Sequence, residues 1–428
     1  MSLYKLKRWI SRSTQSTLAR NALWMLLAQG IRLVIQASYF IIVARTLGVE
    51  EYGAFVGVAA LTAILAPFVS GGRGDLLIKN ASRDRALFSE YWGNSLLVIS
   101  VSGFIFTVMA IALSRIIFPS TIPSSVVFLV CLSDLFFLRL LDVSGQAFQS
   151  VQLLKRTAQV NILFSVTRLL AALLLISFFH NPGIAEWSVL YFLSTAIPAT
   201  ASVLLVNQTL DSPKFSVSRI RSEFKEGLYF STSLSSQSIY NDIDKTMLAR
   251  FSTLEATGIY AAAYRLIDVA FIPVRSLLYA AYAKFFQKGS KGIAGSIELT
   301  KRLLPLASVY GLVASICLLG FAPVIPLLLG SDFGQTVEAL QWLAPIVLLK
   351  TLHYFAADTL TGAGFQGLRT GAQIFVAIFN ILINLWLLPL FSWRGAAWSS
   401  LLSDALLMVC LWSILTFMYQ KQSKIVEV

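Results

Sequence analysis

A chain of 428 residues that is 57% hydrophobic and 13% charged is not an ordinary soluble domain, in which about a quarter of residues carry charge. The net charge of +13 raises nucleic-acid binding as an option, but the positions of the cations, counted below, argue against it. Three cysteines sit singly inside apolar runs and there are two histidines, so a metal centre is not expected and no cofactor is called for.

Residues 1–19 form a basic, amphipathic N-terminal segment. The apolar run at 20–44 is longer than the about 7–15 residues of a signal core, so it is expected to be a first membrane span. A crossing needs about 20 apolar residues. Further stretches of that kind fall at 53–70, 92–113, 124–148, 158–179 and 187–206, then 227–250, 258–283, 303–329, 336–360, 370–391 and 396–419. The expected fold class is an all-α integral membrane protein of twelve spans. The N-lobe is placed at 20–206, a linker at 207–226, the C-lobe at 227–419 and a tail at 420–428.

The seventh stretch is polar, "STSLSSQSIYNDIDK", and an internal repeat supports it. Shifted by 205 residues, "ARTLGVEEYGAF" (44–55) aligns without a gap on "ARFSTLEATGIY" (249–260). Ala44, Arg45, Glu50 and Gly53 then meet Ala249, Arg250, Glu255 and Gly258, while Gly48 meets Thr253. Six spans per repeat make the two halves parallel repeats. With the N-terminus inside, 23 Lys and Arg lie in inner segments, four in outer loops and seven within spans, which predicts both termini on the cytoplasmic face of the cell's inner membrane.

The charges within spans carry the functional signal, since each costs about 2.5–3.5 kcal/mol at a helix centre. In span one, Gln29, Arg32, Gln36 and Tyr39 share a stripe. Thr157, Asn161, Ser165 and Arg168 do so in span five, and Ser231, Ser235, Ser238, Asp242 and Lys245 in span seven. Arg32 and Arg168 have no acid three or four residues away, whereas Arg139 has Asp142 and Arg265 has Asp268 at i+3. The expected cationic lumen consists of Arg32, Arg139, Arg168, Lys245, Arg265 and Lys350, with Asp134, Asp242, Asp268 and Asp404 as candidates for ion coupling. The glycine-rich "GGRGDLLIK" at Gly71 has a misplaced Lys79 and no following Ser or Thr, so it is not a nucleotide phosphate loop.

"ARTLGVEEYGAF" and "DKTMLARFSTLEATGIYAAAYRLIDVAFIPV" (244–274) resemble the polysaccharide-transporter branch of the MOP exporter superfamily, of the Wzx or O-antigen flippase type. The resemblance implies a V-shaped pair of six-helix lobes around a cationic lumen. It also implies a polyprenyl-pyrophosphate-linked oligosaccharide (a repeat unit of O-antigen, capsule or exopolysaccharide) turned from the inner to the outer leaflet. Coupling to a proton or sodium gradient is expected, beside a polysaccharide polymerase or ligase as partner. An enzyme is not expected. A multidrug antiporter of the same superfamily and a membrane glycosyltransferase or polymerase are the alternatives. Against the first, acids and bases within spans balance seven to seven; against the second, no large acidic outer loop is present.

Overall fold

The computed structural model describes residues 17–82, 84–290 and 292–426, with side chains from residue 34 on except at 226, 229, 230, 233, 234, 283 and 423–426. The Arg32 and Gln29 side chains and the segment 1–16 lie outside what is described. Apolar runs become helices because only a helix or a closed barrel satisfies every backbone group within hydrocarbon. The elements run α1 (Thr17–Ser70), α2 (Arg73–Ala81), α3 (Phe88–Ile117), α4 (Ser124–Cys131), a π-helical turn (Leu132–Phe137), α5 (Leu138–Ser150), α6 (Leu154–Phe178) and α7 (Ile184–Thr209). Short α8 (Val217–Ser222) lies in the connection to α9 (Phe224–Phe251) and α10 (Leu254–Gly289). Then come α11 (Ile293–Phe321), α12 (Ile325–Leu329), α13 (Thr336–Leu343), α14 (Ile346–Gly362) and α15 (Gln366–Val426).

Among the described residues, six segments are long and apolar enough to cross a membrane: 34–70, 85–117, 154–178, 184–209, 293–329 and 366–422. Two of these hold a sharp turn, at Gly48 in α1 and at Ser392 in α15, so each is two helical arms. Helices α9 and α10, which carry polar and charged residues along their length, fall outside this set, as does α14, which has 17 residues. Their polar faces are turned to one another and to the first arm of α1, as described below. Elsewhere the apolar faces point outward. Phe104 and Ile105 on α3, Leu306 and Val309 on α11, and Leu382 and Trp386 on α15 are all exposed. Apolar surface on that scale marks contact with lipid.

The repeated motif builds two turns by different means. In the first, Gly48 adopts φ 72°, a left-handed conformation open to glycine at little cost. In the second, Thr253 caps α10, its hydroxyl accepting from the Ala256 N–H at 3.0 Å. The two turns then meet. A Cβ on Gly53 would lie 1.9 Å from the carbonyl oxygen of Leu254, and a Cβ on Gly258 would lie 1.9 Å from that of Val49. Gly53 and Gly258, like Val49 and Leu254, are equivalents under the 205-residue shift, so the contact is a local two-fold. Two backbones cross there with no side chain between them.

One hydrophobic cluster spans both halves at this hairpin end, joining Val43, Ala44 and Phe55 to Leu248, Tyr260, Leu340 and Trp393. At the opposite, linker end the halves have separate clusters: one around Trp92 and Phe148, another around Val376 and Leu411, and a third around Phe271 and Phe285. The halves are therefore fused at the hairpin end. Toward the linker end one seam stays closed by small residues, where a Cβ on Gly227 would lie 2.3 Å from the Gly71 carbonyl. "GGRG" is thus a close-packed turn, consistent with its lacking a phosphate-loop pattern. On α10, Arg275 and Ser276 are exposed, as is Tyr279 at 74%.

Replacing Gly258 by Val should force the hairpin ends apart, because backbone atoms cannot yield as a side chain can. In a Glu50→Cys/Glu255→Cys background, disulfide cross-linking should fall several-fold on adding Gly258→Val. It should be unchanged by Gly320→Ala, where an added Cβ meets nothing within 4 Å.

Candidate functional site

Between the halves lies a cavity of about 670 Å³, walled on one side by Gln36 and Phe40 of the first arm of α1. The other side is made by Gln237, Asn241 and Asp242 of α9, by α10 and by Lys350 and Tyr354 of α14. Cavities of about 260 and 160 Å³ adjoin it, and Arg265 lines all three. On α10, Arg265, Asp268, Ile272 and Arg275 recur at i, i+3, i+7 and i+10, so one helical face supplies two guanidiniums and a carboxylate.

The ion pairs differ from the sequence spacing in one decisive place. Asp268 does not pair with Arg265 three residues before it. It reaches Lys350 across the helix interface at 3.5 Å. Among the described residues Arg265 has no carboxylate within 4.0 Å and no hydrogen-bond partner, and Arg275 meets only the ring of Phe271, 5.7 Å away. Lys245 binds Asp242 and the Asn241 carbonyl at 3.0 Å. Both ammonium groups, of Lys245 and Lys350, lie 4.5 Å from the centre of the Tyr264 ring, which holds them toward the cavity.

The remaining expected site residues are placed elsewhere. Arg139 lines none of these cavities, because its guanidinium sits 3.0 Å from Asp142 and donates to the Asp134 carbonyl. Arg168 borders the smallest cavity but is buried, lying 3.5 Å over the Tyr191 ring and donating to the Tyr191 carbonyl and the Thr195 hydroxyl. Asp134 stands on the π-helical turn and accepts from Thr62 at 2.9 Å and Tyr191 at 2.8 Å. Such turns recur at functional sites. Asp404 is buried against His353 at 2.9 Å, inside the second half and away from the cavity lining. Of the expected cations and acids, the fold thus gathers Lys245, Arg265, Lys350, Asp242 and Asp268 around one space, with Arg168 at its edge.

The polar rows are placed as unevenly. Ser231 and Ser235 bond to the Gly227 and Ile64 carbonyls, so this row packs helix on helix. Thr157 and Ser165 bond to carbonyls within their own half. Residues not singled out for the site, Arg275, Gln237, Asn241, Tyr264 and Tyr354, complete the lining. The i, i+3, i+7, i+10 spacing from Arg265 was the available signal for Arg275.

The cavity has two unlike walls. Toward the first half the described lining is largely aromatic, with Tyr39, Phe40, Tyr52, Phe55 and Tyr191 around the second cavity and Arg168 at the edge of the third. Toward the second half it carries Lys245, Arg265, Arg275 and Lys350 against Asp242 and Asp268. With two of the cations engaged by the two acids, the surplus is positive and falls on the arginines. A site of this volume and character suits a small anionic group with polar substituents.

Known proteins agree with this architecture. A probable low-salt glycan biosynthesis flippase of Haloferax volcanii, Agl15, is 23% identical over 256 residues, or 58% of this chain. The match spans about half the length of that relative, 52%. The solved structure of the lipid II flippase MurJ, in an inward closed conformation, superposes with a TM-score of 0.75 at 10% identity, over 92% of this chain and 87% of that one. A multidrug resistance MATE family transporter of the MOP superfamily, inward-facing, superposes at 0.72 with 14% identity, over 93% and 96%. At these identities the likeness is one of fold. The shared fold and the apolar helices make the chain a multi-pass membrane protein. The model of one family, described as "Polysaccharide biosynthesis protein", matches residues 18–283, well over half of the chain, and the protein belongs to that family.

Proposed function

We propose that the chain is a flippase which carries a polyprenyl-diphosphate-linked glycan from the inner to the outer leaflet by alternating access. The observation that carries this reading is Arg265: a guanidinium with no carboxylate within 4.0 Å among the described residues, at the junction of three cavities between two membrane-embedded halves. A diphosphate cannot cross hydrocarbon bare. Arginine offers a planar, permanently charged fork that matches phosphate oxygens, and Lys350, Lys245 and Arg275 surround the same space. Both similar flippases named above fit this reading. The asymmetry of Lys and Arg along the chain supports termini on the cytoplasmic side, and the linker end, where each half keeps its own cores, would then face the donor leaflet.

The lysines suggest how binding and coupling connect. An incoming diphosphate competes with Asp268 for Lys350 and with Asp242 for Lys245. Once the diphosphate has left at the outer leaflet, a carboxylate freed in this way takes up a proton or cation from outside and releases it inside as the empty protein returns, so the coupling is an antiport. Asp242 and Asp268 are on this reading the coupling carboxylates, ahead of Asp134 and Asp404, which are held within one half each. A multidrug antiporter is less well supported, because the cavity's two acids are already matched by lysines and the free charge is positive.

Arg265→Ala should lower surface glycan by at least about tenfold in cells that depend on this protein, with Arg265→Lys intermediate, since a point charge replaces a bidentate fork. Unchanged surface glycan in Arg265→Ala, at equal protein level, would contradict the reading. Asp268→Asn should separate two steps. It frees Lys350, so binding of the diphosphate lipid tightens, while transport driven by the ion gradient slows. Binding by tryptophan fluorescence and transport in vesicles would show it, and equal loss of both would instead indicate a structural role for Asp268.

A further inference from the structure

The cationic groups occupy one part of the cavity, and its neutral polar groups are arranged as a second site. Asn241 and Gln237 lie one turn apart on α9 and both line the 670 Å³ cavity. The Asn241 amide is oriented by its own helix, its Nδ2 donating to the Gln237 carbonyl at 2.9 Å. This leaves Asn241 Oδ1 buried and without a hydrogen-bond partner among the described residues. The Gln237 amide is oriented likewise, its Nε2 donating to the Tyr354 hydroxyl at 2.7 Å. No described residue donates to Gln237 Oε1. Tyr354 is itself fixed, its ring 5.1 Å from that of Phe271 and 4.9 Å from that of His353. Across the cavity stands Gln36, the equivalent of Asn241 under the 205-residue shift, also with no partner among the described residues.

A buried acceptor without a donor costs about 1–3 kcal/mol, and a ligand that brings a donor recovers it. Two oriented amides whose oxygens meet no donor among the described residues, facing the Gln36 amide and next to a tyrosine, are the chemistry that recognises a polyhydroxyl group. A carboxylate or phosphate would be repelled by the same oxygens. We infer that Gln36, Gln237 and Asn241, with Tyr354, form a saccharide subsite that takes the sugar nearest the diphosphate, by accepting hydrogen bonds from its hydroxyl or acetamido N–H groups. This rests on the diphosphate reading of Arg265 and extends it. Because Gln36 belongs to one half and Asn241 to the other, a bound sugar bridges the two halves. The subsite therefore senses the sugar from both sides. The cavity's volume suits one or two residues, and the rest of the glycan extends toward the linker end.

The test uses the full chain in lipid nanodiscs and two probes: undecaprenyl diphosphate, and undecaprenyl-diphosphate-linked N-acetylglucosamine. The wild type should bind the sugar-bearing lipid more tightly. Asn241→Leu and Gln237→Leu, which keep size and remove the amide, should each weaken that lipid by about tenfold. Binding of the sugar-free lipid should stay within about twofold, which also shows that the variants are folded. Gln36→Leu should behave in the same way from the other half. If the wild type binds both lipids equally, or if the Leu variants lose both equally, the subsite is overturned while the diphosphate site stands. If the wild type binds neither lipid, the diphosphate reading falls and takes the subsite with it.

Discussion

A charge within hydrocarbon must be paired, hydrated or absent, and the arrangement of this protein follows from how it meets that constraint. Most of its intramembrane charges are paired. Lys350 takes Asp268, Lys245 takes Asp242, Arg139 takes Asp142, and His353 takes Asp404. Arg168 is met by a carbonyl, a hydroxyl and the face of Tyr191. Among the described residues Arg265 has none of these within reach, and it sits where the two halves face each other. An unmatched guanidinium is tolerable only beside water or an anion, so the cavity and the unpaired charge require each other. The helices outside the long apolar set, α9, α10 and α14, are the ones that build this wall.

The second constraint is that such a cavity must open to one side at a time. The crossing of Gly53 over Leu254 and of Gly258 over Val49 closes the hairpin end by backbone contact, reinforced by a hydrophobic cluster drawn from both halves. At the linker end each half keeps its own cores. Two halves that share one core at one end and none at the other can rock with little internal rearrangement, which is the motion expected of parallel repeats. The local two-fold at the glycines gives the repeat a physical purpose: each copy of the motif supplies the surface on which the other rests.

The sequence disclosed the helical fold through apolar run lengths, and the shift of 205 residues marked the turn pairs that meet. It disclosed part of the site. Arg265, Asp268, Lys245, Asp242 and Lys350 stand out as charges where charges are costly. The Lys245–Asp242 pair follows its i, i+3 spacing, but the Lys350–Asp268 pair does not show, because pairing across helices depends on rotation about each axis, which spacing along one helix leaves open. Arg265 and Asp268 look like a local pair in the sequence and are not one, whereas Arg139 and Asp142 are. Gln237 and Asn241 are uncharged and look like the serines of the same helix. Only the packing separates them: Ser235 bonds into the neighbouring arm, while Asn241 lines the cavity and keeps a buried oxygen with no partner among the described residues.

The most direct measurement is a structure of the full chain in lipid with a polyprenyl-diphosphate saccharide bound. Phosphate density within hydrogen-bonding distance of Arg265, with Lys350 drawn away from Asp268, is the predicted result. Phosphate density at another place, with Arg265 facing water and the Lys350–Asp268 pair intact, would contradict it.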